Sequence, residues 1–141
     1  MKPPERIVRE LTVRWLALAH EDLEAAEQLL SLADAPLYPI GFHAQQAAEK
    51  FLKALLVRHQ VEFSKTHDIA ELLALLAPKE KQLTKQLAGA ESLTPFGVQH
   101  RYPGDYPSPS RKEVSRALAL AQQVRASVEP PLQKWLAKGA K

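Results

Sequence analysis

GFHAQQAAEKFLKALLV, residues 41–57, is the most strongly patterned stretch of the sequence. At about 100° per residue, Ala44, Ala47, Ala48, Phe51, Leu52, Leu55 and Leu56 share one broad apolar face. The alanines of the first half let a neighbouring helix approach closely, and Phe51 and the leucines fill the space further on. The opposite arc carries Gln46, Glu49, Lys50 and Lys53. Glu49 stands four residues before Lys53, the favourable direction for an ion pair along a helix. That arc reads either as a solvated, self-paired face or as a binding face. Both readings make this stretch a central helix around which the chain packs.

Toward the N-terminus, Tyr38-Pro39 favours an extended chain ahead of the central helix, and Asp34, Ala35 and Pro36 end an earlier one. That first helix is expected from about Pro4 to Leu32, with Leu11, Trp15, Ala19, Leu23, Ala26 and Leu30 on one face. At about 1.5 Å per residue it spans roughly 40 Å, long enough to lend an end to a partner. Toward the C-terminus, residues 59–65 are a connection. Asp68-x-x-Glu71 predicts a helix cap with a reciprocal acceptor, and Thr66 is a competing cap. The helix after that cap uses Ile69, Leu72, Leu73, Leu75 and Leu76 and stops near Pro78. A fourth, from about Lys79 to Leu93, uses Leu83, Leu87 and Ala90 and is weakened by Gly89.

Residues 94–109, TPFGVQHRYPGDYPSP, hold four prolines and two glycines, a density at which no helix or strand is expected. Loops longer than about 12–15 residues inside compact domains are functional or disordered. The aromatic and cationic content of this one favours function. Ser110-Arg-Lys-Glu113 is a capping box opening the last long helix, with Val114, Ala117, Leu118, Ala121, Val124 and Val128 inward. Pro130-Pro131 is expected to break it, leaving one further turn with Leu132, Trp135 and Leu136, then a frayed tail at 137–141. The fold class is therefore all-α: an up-and-down antiparallel bundle of about five helices, one domain over residues 1–141.

Composition narrows the function. With 141 residues the chain suits one core. No cysteine is present, which excludes disulfides, thiol catalysis and thiolate metal sites. The charge of +3 permits an anionic partner without demanding one. The opening MKPPERIVREL has no apolar run, so no signal peptide is expected. No run approaches the roughly 20 apolar residues of a membrane helix, and a cytoplasmic location without membrane association is expected. The five histidines lack four-residue helical pairing, so no metal site is expected. Phosphate-binding loops, dinucleotide fingerprints and serine-nucleophile motifs are absent, and no cofactor is expected.

What remains is a set of cationic and aromatic residues. Lys50 and Lys53 project from the central helix, Lys65 and His67 lie just beyond it, and His100, Arg101, Tyr102 and Tyr106 lie in the late loop. If the loop folds over the central helix, these supply charge for a phosphate and rings for a base. In the competing reading Arg101 pairs with Asp105 or a helix carboxylate and only pins the loop.

QQAAEKFLKALL, then KTHDIAELL, then RYP in the late loop resemble the HEPN domain family (higher eukaryote and prokaryote nucleotide-binding). The first helix, with Ala19, Asp22-Leu23 and Ala25-Ala26-Glu27, is similar to that family's opening helix. The resemblance covers nearly the whole chain. It implies an all-α bundle that forms homodimers, and a small nucleotidyltransferase partner encoded nearby, often as a toxin–antitoxin pair. Active members of the wider superfamily are metal-independent RNases that use an Arg followed after four to six residues by a His. Here the positions after Arg101 hold Tyr106, Pro107 and Ser108, and His100 precedes the Arg. Arg14 and His20 have the spacing but lie round the first helix from one another. Tyr106, with an ordinary pKa of about 10, is a poor base at neutral pH. The resemblance thus implies a non-catalytic module that binds a nucleotide or nucleic acid, docks a nucleotidyltransferase, or does both. The alternatives are an RNase toxin with a degenerate site, using Arg101 with His100 or His67, and a structural dimerisation or adaptor protein.

Overall fold

The central helix, α2 (Leu37–Arg58), packs along α1 (Glu5–Leu30) on one side and α6 (Arg111–Gly139) on another. This computed structural model describes residues 3–98 and 108–139, and the described residues form no strand. Between the long helices lie α3 (Ile69–Leu76), α4 (Lys81–Gln86), a 3₁₀ turn (Ala88–Leu93) and α5 (Thr94–Val98). The start of α6 sits at the end of α1, where the Arg111 guanidinium donates to the Leu30 carbonyl at 2.7 Å. Its end returns to the start of α1, where Arg9 Nη1 donates to the Trp135 carbonyl at 2.6 Å. So α1 runs up and α2 down, residues 59–98 carry the chain back up, and α6 runs down.

The alanine pattern of α2 acts as expected. Ala44, Ala47, Ala48, Phe51, Leu52 and Leu56 are wholly buried, facing Ala19, Leu23 and Ala26 of α1 and Val114, Ala121 and Val124 of α6. α1 departs from its expected face in its first half. Val8, Thr12 and Leu16 are buried, Trp15 is half-buried and Leu11 is 40% exposed. Eight residues of ideal helix turn Leu11 about 80° away from Ala19, whereas eleven return Val8 to within about 20°. Thr12 is accommodated because its hydroxyl donates to the Val8 carbonyl at 2.8 Å.

Four expectations about breaks are corrected. α2 begins at Leu37, ahead of Pro39, because Pro39 falls in the first turn, whose amides have no partner inside the helix. The fourth helix divides into α4 and the 3₁₀ turn, with Gly89 in the turn. Thr94–Val98 is helical inside the stretch expected to have no helix. And α6 continues through Pro130-Pro131 to Gly139. Both prolines are exposed, while Val128 and Leu132 on either side are buried. Solvent can therefore satisfy the freed carbonyls while core packing holds the helix axis.

Two caps set the path of the chain at the ends of the long helices. The Ser110–Glu113 box is reciprocal: Ser110 N–H donates to Glu113 Oε1 at 3.0 Å, and Glu113 N–H to Ser110 Oγ at 3.1 Å. α2 ends with Gln60 at φ 55°, Val61 N–H on the Leu56 carbonyl at 3.0 Å and Gln60 N–H on the Val57 carbonyl at 2.9 Å. This Schellman closure reverses the chain and sends residues 61–68 back along α2.

Candidate functional site

Gln45, Glu49 and Lys53 stand four residues apart on one line of α2, and all three are buried. Glu49 Oε2 accepts from Lys53 Nζ at 2.9 Å. Glu49 Oε1 accepts from His67 Nδ1 at 2.8 Å and from Gln45 Nε2 at 3.2 Å. Gln45 Nε2 also reaches the His67 carbonyl at 3.1 Å, and Gln45 Oε1 accepts from Gln46 Nε2 at 2.7 Å. Lys53 Nζ lies 5.5 Å from the Trp15 ring and 5.6 Å from the Phe63 ring, which meet edge to face at 6.2 Å. A buried ion pair survives only when its remaining lone pairs and protons find partners, and here both carboxylate oxygens and two aromatic faces supply them.

The cluster leads outward through one group. His67 has more than half of its side chain exposed, while the Glu49 side chain that holds it is 3% exposed. An ionised carboxylate only accepts, so the proton of a neutral His67 ring sits on Nδ1 and Nε2 carries the free lone pair. Among the described residues Nε2 has no partner. The imidazole is fixed twice, through its ring by Glu49 and through its backbone carbonyl by Gln45.

α5 brings residues 94–98 to this place. The Phe96 ring covers Gly41, where a Cβ would lie 2.3 Å from Phe96 Cδ1. A Cβ on Gly97 would lie 2.8 Å from Gln45 Oε1. The two glycines let α5 lie directly on α2. The Thr94 hydroxyl accepts from Ile69 N–H at 3.1 Å, tying α5 to the start of α3. Asp68 caps α3 by accepting from Ala70 N–H at 3.0 Å. Glu71 does not reciprocate as expected but accepts from the Thr66 hydroxyl at 2.8 Å.

A second carboxylate lies on the α1 side. Asp22 accepts from His43 Nδ1 at 2.8 Å and from Lys50 Nζ at 2.5 Å. Two further imidazole–carboxylate pairs join separate segments. His20 on α1 meets Glu129 on α6, which also accepts from Arg125 Nε at 3.1 Å, and His59 lies 3.5 Å from Glu80. Burial pushes the Glu129 carboxyl up, but the His20 and Arg125 hydrogen bonds and charges together outweigh it and hold Glu129 below its ordinary 4.5. Burial first, then the Arg58 charge, holds His59 below 6.5 against the pull of Glu80.

The expected site residues therefore divide. Lys53 and His67 meet on Glu49, and Lys65 is exposed two residues from His67. Lys50 faces the other way, onto Asp22. His100, Arg101, Tyr102 and Tyr106 lie outside the described residues. The polar arc of α2 is self-paired at Glu49 and Lys53 as expected, but that pair is not solvated, being 2% and 5% exposed, while Gln46 and Lys50 are partly exposed. Arg14 and His20 form no joint site, since His20 is taken by Glu129. Gln45, His43 and Asp22 were missed. The signal for Gln45 is the four-residue recurrence Gln45–Glu49–Lys53 inside an otherwise apolar helix. A groove of about 1060 Å³ lies elsewhere, between the start of α1 and the end of α6. Arg6 and Arg9 there are paired with Glu10 and Glu5. Among the described residues no cluster of three metal-ligating side chains occurs, and no helix is long and apolar enough to cross a membrane.

A model of the HEPN domain matches residues 12–130. The fold is similar to the crystal structure of TT1696 from Thermus thermophilus, at 34% sequence identity and a TM-score of 0.71, over 84% of this chain and 95% of that one. No curated protein is significantly similar.

Proposed function

This chain belongs to the HEPN domain family, and on that premise we propose that it is a non-catalytic module that binds a nucleotide or nucleic acid, docks a small nucleotidyltransferase, or does both. One observation carries the reading: α5, the last described element before Arg101, Tyr102 and Tyr106 in the sequence, seats Gly97 against Gln45, which is bonded to Glu49 and to the His67 carbonyl. The guanidinium and two phenol rings that the sequence supplies there, together with an outward imidazole, are groups that suit a phosphate and a base. RNA cleavage is the less favoured reading because the sequence places no His four to six residues after Arg101. In this reading the module works in the cytoplasm as a homodimer, and a toxin–antitoxin pair is the setting that suits it. Exposed Leu11 and Leu18 on α1 supply apolar surface for a second copy.

Equilibrium binding of ATP and of a short RNA to wild type and to Arg101→Ala tests this. The expected result is binding that weakens about tenfold in the variant, the loss of one charge-assisted contact. No binding of either ligand, or equal affinities, overturns the binding reading. Cleavage of the RNA in EDTA that disappears in Arg101→Ala would establish the RNase alternative instead.

A further inference from the structure

The Glu49 cluster commits a buried carboxylate, a buried ammonium and a buried amide to holding one surface imidazole. Such a pair contributes little net stability compared with apolar packing, so its presence calls for another role. The geometry points to Glu49 as a positioning residue that sets His67 as a proton-gated contact for the terminal phosphate of a nucleotide, which rests on the binding reading above.

The first argument is orientation. With Nδ1 on Glu49 at 2.8 Å and the His67 carbonyl on Gln45 at 3.1 Å, the ring cannot turn Nε2 inward without giving up the bond to Glu49. Nε2 is therefore the ring nitrogen presented outward to a ligand. Neutral, it offers only a lone pair, which repels a phosphoryl oxygen. Protonated, it offers an N–H to the same oxygen, and Glu49 supplies the countercharge behind the ring.

The second argument is the distribution of charge. From α2 the ring faces Glu49, whose second oxygen is neutralised by Lys53. On its own segment stand Lys65, exposed, and Asp68, which is occupied in capping α3. From α3 comes Glu71, bonded to Thr66. Lys53, which would extend the positive surface along α2 on this face, is taken by Glu49, and Lys50 faces away onto Asp22. A polynucleotide needs a row of cations along its backbone. Among the described residues this face offers instead only His67 and, two residues away in sequence and exposed, Lys65, enough for one terminal phosphate.

The test compares wild type with His67→Gln and Glu49→Gln, measuring ATP and adenosine binding from pH 5.5 to 8.5. ATP itself titrates in this range, so the quantity read is the ratio of wild-type to variant affinity at each pH. The ratio for His67→Gln is expected to be about tenfold at the acid end and to fall to about one at the alkaline end, the value of one charge-assisted hydrogen bond. Adenosine is expected to show no such ratio. NMR of the His67 ring nitrogens in the free protein should show the proton on Nδ1 in wild type and a mixture of tautomers in Glu49→Gln. A pH-independent ratio with ATP bound overturns this inference and leaves the binding reading standing. Absence of ATP binding at every pH overturns this inference, and the RNA measurement above then decides the binding reading. A mixture of tautomers in wild type overturns the positioning role without reference to any ligand, which protects the test if Glu49→Gln folds poorly.

Discussion

Two carboxylates on neighbouring faces of α2 do different things. Asp22 reaches across from α1, is 12% exposed, and binds two groups of α2, His43 and Lys50. Glu49 sits on α2 itself, is 3% exposed, and binds Lys53 of its own helix and His67 of the returning segment. The first staples two helices that apolar packing already joins. The second fixes a segment that has no regular structure of its own. Water can replace the partners of Asp22, whereas Glu49 and Lys53, both nearly sealed from solvent, depend on the protein groups around them.

That contrast can be broken at its strongest point first. Glu49→Leu leaves the Lys53 ammonium buried without a counter-charge and should cost about 3–5 kcal/mol in urea denaturation. Adding Lys53→Met should recover much of that loss, since an apolar pair replaces an ionic one, while His67 stays released. A double variant as unstable as the single one would show that the ion pair holds the fold and not only His67. Asp22→Ala should cost about 2 kcal/mol, because Lys50 and His43 can turn to solvent. A loss equal to that of Glu49→Leu would erase the distinction.

The smaller effects sharpen the comparison at the end of α2. Gln60 holds φ 55°, a region that glycine enters freely, so Gln60→Gly should raise stability by up to about 1 kcal/mol. His59, facing Glu80, is the weakest of the imidazole–carboxylate pairs by distance. Its folded pKa lies below 6.5, so the unfolded chain takes up the proton first and stability falls as pH drops through that value. His59→Gln should remove this decline. Glu129, held below 4.5, adds stability that is present above that pH and lost as pH falls through its lower folded value. Thermal unfolding followed from pH 7 to pH 3 should show the His59 step first and the Glu129 step second.

The helical class, the central position of α2, the alanine seam, the Ser110 box and the end of α1 were all legible in the sequence. Each depends on spacing along one segment, and the 3.6-residue period or a cap expresses itself locally. Leu11 and Leu16 were not distinguished, because a four-residue step drifts round the helix and either line satisfies it until α2 and α6 choose one. Pro130-Pro131 reads as a break in isolation. Only the burial of Val128 and Leu132 on either side shows why the helix goes on.

The candidate site divides along the same line. The sequence by itself determined which residues carry charge, that Glu49 and Lys53 stand at ion-pairing distance on one helix, and that the chain resembles the HEPN domain family. Tertiary structure alone decided that this pair is buried, that Lys50 answers to Asp22, and that His67 comes to Glu49 from eighteen residues away. The reason is that a residue's period along a helix is set by its own backbone, whereas its solvation is set by whichever distant segment covers it. The Schellman turn at Gln60 and the two glycines under α5 send those segments back over the polar arc, and no spacing within α2 records that they do.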